Sequence, residues 1–240
     1  MGARGRFLKD ERGFTLSEML ITIMIMSVVL LALSSMFQMS LRVFSYGNNK
    51  VEAVESARVG LEKMEREIRQ AHQFNNAPSQ THLFFNAASP TDALTLPAPD
   101  DEGRIVVNEL SFGNDLGAPG ASDGVITCGT PCEYITYKLT NANGTAACTV
   151  AEPQPPCTLW RANGDNSGPV VENVAVNNAA DAEGTANDGL SFTLLKSDST
   201  APANEGEVRM VLVKLNVVVD RGLDTPGTQT LTTVIDLRNR

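Results

Sequence analysis

The sequence predicts an α+β protein, one long N-terminal helix packed on an antiparallel β-sheet domain. Three observations lead there. From Phe14 to about Gln73 no proline interrupts the chain. Beyond residue 78 the pattern changes to short β-like runs separated by Gly, Pro, Asn and Asp. Between the two, the later part of the helical stretch carries a single apolar stripe, which suits a helix covering one face of a sheet.

The helix opens on an unbroken apolar run from Met19 to Phe37, and from Gly13 to Leu41 the one formal charge is Glu18. About 20 apolar residues suffice to cross the hydrocarbon core. An acid at mid-membrane costs ~2.5–3.5 kcal/mol on insertion scales, and less near the end, so Glu18 calls for a partner. Ahead of the run stand Arg4, Arg6, Lys9 and Arg12. Basic residues there place the N-terminus in the cytoplasm and the C-terminus outside. A secretory signal peptide also has a basic start and an apolar stretch. This run is longer, contains an acid and is followed by no small-x-small cleavage site. A plain membrane anchor would need neither Glu18 nor Gly13-Phe14-Thr15-Leu16.

The segment Gly13-Phe14-Thr15-Leu16-Ser17-Glu18 followed by the apolar run resembles the type IV prepilin signature. The resemblance implies a leader, residues 1–13, removed by a prepilin peptidase that cuts after Gly13 and methylates the new N-terminus, Phe14. It also supplies the partner for Glu18, the α-amine of Phe14 in a neighbouring subunit; two charges that are each costly in an apolar filament core become tolerable as a close pair. In this reading residues 14–77 form the helix, with 14–37 as membrane span or filament core and 50–73 amphipathic, and 78–240 form an exterior β-rich domain.

The amphipathic part rests on spacing. Val54, Leu61 and Ile68 recur every seven residues, and so do Ala57, Met64 and Ala71 three places further on, which is one stripe on a helix. Glu62–Arg66, Lys63–Glu67 and Glu65–Arg69 are opposite charges four apart on the outer faces, worth ~0.2–0.5 kcal/mol each. Asn75, Asn76 and Pro78 are the stop signal. At 1.5 Å per residue the rod would be ~90 Å long, so about half must project beyond a bilayer. Ser45-Tyr46-Gly47-Asn48-Asn49 is its weak place, since Gly, Asn and Ser all disfavour helix relative to Ala. Either a kink or a weaker continuous helix fits that composition.

The β region offers candidate strands at Ala93–Leu96, Arg104–Phe112, Tyr134–Thr140, Thr158–Arg161, Val170–Val176, Leu190–Lys196, Val208–Val219 and Leu231–Leu237. In the longest, Val211, Val213, Leu215, Val217 and Val219 face one way and Lys214, Asn216 and Asp220 the other. Leu231, Thr233, Ile235 and Leu237 can pair with it across the loop Arg221–Gln229, giving a hairpin whose apolar face suits the helix stripe.

Three stretches narrow the resemblance. Ala57-Arg58-Val59-Gly60-Leu61-Glu62-Lys63-Met64-Glu65-Arg66-Glu67-Ile68-Arg69-Gln70-Ala71 is similar to the helix end of minor pilins and pseudopilins of the PilW and PulJ/GspJ type. Tyr134–Leu139 returning as Thr158–Arg161 resembles a strand pair of that group, and Leu231–Asn239 resembles its C-terminal finish. Many major pilins carry proline where this chain has Ser35. The resemblance implies a minor pilin or pseudopilin that primes or caps assembly of a type IV pilus or a type II secretion pseudopilus. Its partners would be other pilins, the prepilin peptidase and the inner-membrane assembly platform. It would sit as a single-pass inner-membrane protein that moves into a periplasmic or extracellular filament. The alternative is a filament-tip binding module, an adhesin or DNA-uptake receptor.

The formal net charge of the 240 residues is -9. Removing residues 1–13 takes away four basic and two acidic side chains, leaving 15 basic against 26 acidic and a charge near -11. An acidic exterior domain is a poor generic binder of phosphate backbones, so no direct nucleic-acid partner is expected. Cys128, Cys132, Cys148 and Cys157 are an even set in an exported domain, which favours disulfides. The C-x3-C and C-x8-C spacings lack the usual C-x2-C of a zinc site. The local pairing Cys128–Cys132 and Cys148–Cys157 is our expectation among three connectivities.

No catalytic constellation is visible, so an enzyme is not expected. His72 and His82 are the only histidines, and no glycine loop cradles phosphate. Asn163-Gly164-Asp165-Asn166-Ser167-Gly168 echoes the opening of a calcium loop, but its twelfth place is Val174 instead of a bidentate Glu. A turn after a strand is the better reading. Asp181 to Asp188 could also supply oxygen ligands, yet its composition equally reads as exposed loop. No cofactor is implied, with calcium the one ion left open.

Overall fold

A computed structural model of the chain describes residues 13–71, 74–75, 81–86, 89–114, 126, 133–148, 157–163, 166–175, 189–219 and 227–237. The chain divides into two compact units, Met1–Gly47 and Asn48–Arg240. One α-helix, α1, covers Leu16–Arg69. It is helical throughout Ser45–Asn49, where the composition allowed a kink or a weaker helix. It ends at Arg69, well short of the expected residue 77. Gln70 N–H is shared between the carbonyls of Arg66 and Glu67, and Ala71 N–H closes on Ile68. This tightening of the last turn satisfies the end carbonyls before Asn76 and Pro78 are reached.

In the second unit the strands are β1 (Phe74–Asn75), β2 (Thr81–His82), β3 (Phe84–Asn86), β4 (Ser89–Ala93), β5 (Ile105–Val107), β6 (Leu110–Gly113), β7 (Tyr134–Thr140), β8 (Cys157–Asn163), β9 (Asn166–Val174), β10 (Leu190–Leu195), β11 (Met210–Val219) and β12 (Gly227–Asp236). β1 and β2 form their own small ladder. The rest make one antiparallel sheet in the order β4-β3-β6-β7-β8-β9-β11-β10-β5, with β12 on the other edge of β11. β5 and β6 lie far apart in that order, yet only Asn108 and Glu109 separate them. Val107 and Leu110 are three steps apart and can be separated by at most ~11 Å, so the sheet curls back on itself.

Two strand expectations need correction. Arg104–Phe112 is not one strand. It breaks at Asn108–Glu109, where two polar residues end the apolar β5 run, into pieces paired with different neighbours, β10 and β6's partners β3 and β7. Ala93–Leu96 lies mostly outside the ladder: β4 ends at Ala93 and a single further bond joins Leu94 N–H to the Phe84 carbonyl. Pro97 and Pro99, which lack N–H donors, follow at once. A turn then leads into β5. Asp100 Oδ1 accepts the N–H groups of Glu102 and Arg104, Asp100 Oδ2 accepts Arg104 Nε, and Gly103 takes φ 75°, a conformation costly for any side chain.

The core lies between the sheet and the amphipathic part of α1. Ala57, Leu61, Met64, Ile68 and Ala71 are buried there together with the inward face of β11, Val211, Val213, Leu215 and Val217. β12 pairs along the whole of β11, with Val211 opposite Ile235 and Leu215 opposite Leu231, so both alternations face the same way. Gly60 is also buried. A Cβ there would come within 2.2 Å of Val171 Cγ2, so glycine lets the helix lie close to β9. This is the α+β, pilin-like architecture that the sequence leads one to expect.

Candidate functional site

Gly13, Phe14 and Thr15 precede α1 outside any regular element, and Thr15 is the residue at the helix boundary. Thr15 Oγ1 accepts the Glu18 N–H at 3.3 Å, and Glu18 Oε2 accepts both the Thr15 N–H at 3.1 Å and the Thr15 hydroxyl at 3.0 Å. This is a capping box: two otherwise unpaired N–H groups at the helix start are satisfied reciprocally. The signature Thr-x-x-Glu was readable in the sequence. The box uses the Thr15 amide, a group that persists if the chain is cut before Phe14. Both bonds go to Oε2. The negative carboxylate also sits in the first turn, where the helix dipole favours it.

Beyond the cap, the apolar side chains point outward on every side. Phe14 is 76% exposed and Met24 72%. No side chain from Gly13 to Phe44 is buried. Two hydroxyls in this stretch turn back onto their own helix: Thr22 donates to the Met19 carbonyl at 2.9 Å and Ser27 to the Ile23 carbonyl at 2.7 Å. A largely apolar surface with its backbone groups bonded within the helix is what a bilayer or an apolar filament core requires. The helix is long and apolar enough to cross a membrane.

Residues 8–34 match the family described as Prokaryotic N-terminal methylation motif. The chain carries a prepilin-type N-terminus. The match supports a type IV pilin-like or pseudopilin-like protein, and with it processing by prepilin peptidase and assembly with other pilins. It points to a structural protein, and with the apolar helix it fits a single-pass inner-membrane anchor. No curated protein and no solved structure matches the chain.

A second polar cluster lies inside the unit Asn48–Arg240. Glu67, on α1, receives Arg161 Nε from β8 on both oxygens, at 3.0 and 2.9 Å, and the Tyr137 hydroxyl from β7 at 2.6 Å. The expected Lys63–Glu67 pair is therefore replaced, because Glu67 turns toward the sheet. Among the described residues no ion pair joins Glu62 to Arg66, whereas Glu65–Arg69 forms as expected. Burial raises the Tyr137 pKa above the ordinary phenol range, and the Glu67 charge raises it further. The phenol stays protonated and donates. The cluster is a clamp between helix and sheet, with no free nucleophile or base.

Cys148 and Cys157 form a disulfide, with Cα atoms 5.9 Å apart. Cys128 and Cys132 lie outside the described residues, as do residues 1–12, His72 and Asp181 to Asp188. The bridge closes the loop that follows β7. There Gly144, at φ 71°, sits over the Trp160 indole, where a Cβ would come within 2.4 Å of the ring. In the calcium-like stretch Asn163 pairs with Asn166, and Asn166–Val174 is strand. These residues form a hairpin; Gly164 and Asp165 at its tip lie outside the described residues. His82 is buried beside β3. Sequence reasoning missed Glu205, which is 7% exposed and whose Oε1 accepts the N–H groups of Leu83 and Phe84 at 2.9 and 3.0 Å. Its setting, Ala203-Asn204-Glu205-Gly206-Glu207, reads as an exposed turn.

Proposed function

We propose that this chain is a minor pilin or pseudopilin, a structural subunit that primes or caps assembly of a type IV pilus or a type II secretion pseudopilus. The observation that carries it is the methylation motif over residues 8–34 set on a helix whose apolar stretch has no buried residue among the described ones. Peptidase cleavage after Gly13 exposes the Phe14 amine for methylation. In the filament Glu18 meets that amine of an adjacent subunit. The N-terminus starts in the cytoplasm, the exterior domain faces outward, and the inner-membrane platform and other pilins are the partners. The similarity of residues 57–71 to the PilW and PulJ/GspJ helix end supports a minor role over a major one.

The test is the mass and N-terminal sequence of the protein made in a host with a prepilin peptidase. Wild type should begin with N-methylated Phe14, and a Gly13→Val variant should accumulate at full length. A native protein that still begins at Met1 overturns the reading.

A further inference from the structure

One long strand, β12, pairs with β11 on one side and with no strand among the described residues on the other. Leu237 N–H donates to the Arg209 carbonyl at 2.9 Å, while on the other edge of β11 Asn216 N–H donates to Gly189 and its carbonyl accepts from Ala175, both at 2.8 Å. Backbone groups alternate sides along a strand. With Val211 opposite Ile235 and Val213 opposite Thr233, the odd-numbered residues of β12 face β11. The N–H and C=O groups of Thr228, Thr230, Thr232, Val234 and Asp236 therefore point away from it. Among the described residues they have no backbone partner there, and all five side chains are exposed.

The two ends of the sheet path are blunted in the usual ways: β5 has three residues, and β4 contains Pro90. β12 has ten residues, no proline and no lysine, and Asp236 is its single charge. A row of donors and acceptors this long is complementary to extended backbone and to nothing else of similar size.

We propose that the outer edge of β12 is a self-recognition surface, pairing antiparallel with β12 of a second copy, Thr232 opposite Thr232. That register is self-complementary. Thr230 falls opposite Val234 and Thr228 opposite Asp236, so all five outward-facing residues pair and the two acids lie at opposite ends. Thr–Thr and Thr–Val are favourable cross-strand neighbours, and like charges face to face would not be. The two-fold axis stands perpendicular to the sheet. It reverses the amphipathic helix segment that each copy packs on its own sheet.

The experiment uses the full chain in detergent micelles. Oxidised Thr232→Cys should give a disulfide dimer, because hydrogen-bonded partners are ~5.5 Å apart at Cα. Thr230→Cys alone should not, whereas Thr230→Cys mixed with Val234→Cys should. Thr232→Pro removes an N–H that points away from β11, and Thr232→Lys sets two cations on the axis; each should keep the wild-type Tm within a few degrees and weaken dimerisation ~10-fold or more. Equal cross-linking of Thr232→Cys and Thr230→Cys, an undiminished dimer in both Thr232 variants, or a ladder of higher oligomers overturns the proposal. A protein found unprocessed at Gly13 would overturn the pilin reading and leave the cross-linking result intact.

Discussion

The two halves of α1 solve opposite problems. From Met19 to Phe37 the helix carries no charge, and none of these residues is buried among the described residues. From Ala57 to Ile68 it is amphipathic, and its stripe disappears under the sheet. Each half contains a carboxylate near an apolar environment. Among the described residues Glu18 is held by its own Thr15, whereas Glu67 is held by Arg161 and Tyr137 from two different strands. The lesson is about completeness. The amphipathic half has its partners within the chain, so its acid stabilises the fold. The apolar half is unfinished, with none of its residues buried among the described ones, and under the proposed function its acid serves assembly.

Substitutions can break that contrast, and the largest effect belongs to the unfinished half. Glu18→Ala should be processed at Gly13 and yet fail to enter filaments, read by shearing and immunoblotting of surface fractions. Glu18→Gln separates two roles, since a glutamine still caps Thr15 but carries no charge. It should fail like the alanine. Wild-type assembly of the glutamine variant would reduce Glu18 to a helix cap.

In the finished half the same deletion acts on stability. Glu67→Ala leaves Arg161 and the Tyr137 hydroxyl without their acceptor, and both ion-pair partners are mostly buried, at 16% and 15% side-chain exposure. Loss of one member of such a pair costs about 2–4 kcal/mol, measurable by urea denaturation of the exterior unit, while processing at Gly13 stays normal. Gly60→Ala should cost about 1–3 kcal/mol, because the new methyl forces Val171 to move in a packed interface. A stabilised variant, as expected for Gly to Ala in an open helix, would show that the helix and β9 are not in close contact.

The smallest effect is a pH slope. Tyr137 holds its proton above the ordinary phenol value of 10.0, so the unfolded chain loses that proton first. The stabilisation is complete below pH 10 and is lost as pH rises further. Tyr137→Phe should flatten the fall in stability above pH 10 relative to wild type. An unchanged slope would remove the phenol from the clamp.

Much of this was legible in the chain. The seven-residue recurrence of Leu61 and Ile68 and of Ala57 and Met64 named the buried stripe, since a helix with one wet face must repeat that way. The alternation in Val211–Val219 named the inward face of β11 and, with Leu231–Leu237, the hairpin. The Gly13–Glu18 segment carried the resemblance to a processing signature, and the Thr15-x-x-Glu18 capping pattern inside it was readable but unused. The split of Arg104–Phe112 was not legible, because a continuous β-prone run does not say which neighbours its two halves will find.

The N-terminal chemistry and the amphipathic period depend on residues close in sequence, so the sequence alone determined them. Tertiary structure decided where Glu67 turns, why Glu205 is buried and which edge of β12 pairs with β11. Those outcomes rest on partners about 14 to 122 residues away. Local spacing cannot specify them, because the free energy of a carboxylate or an amide depends on what the folded chain brings to it.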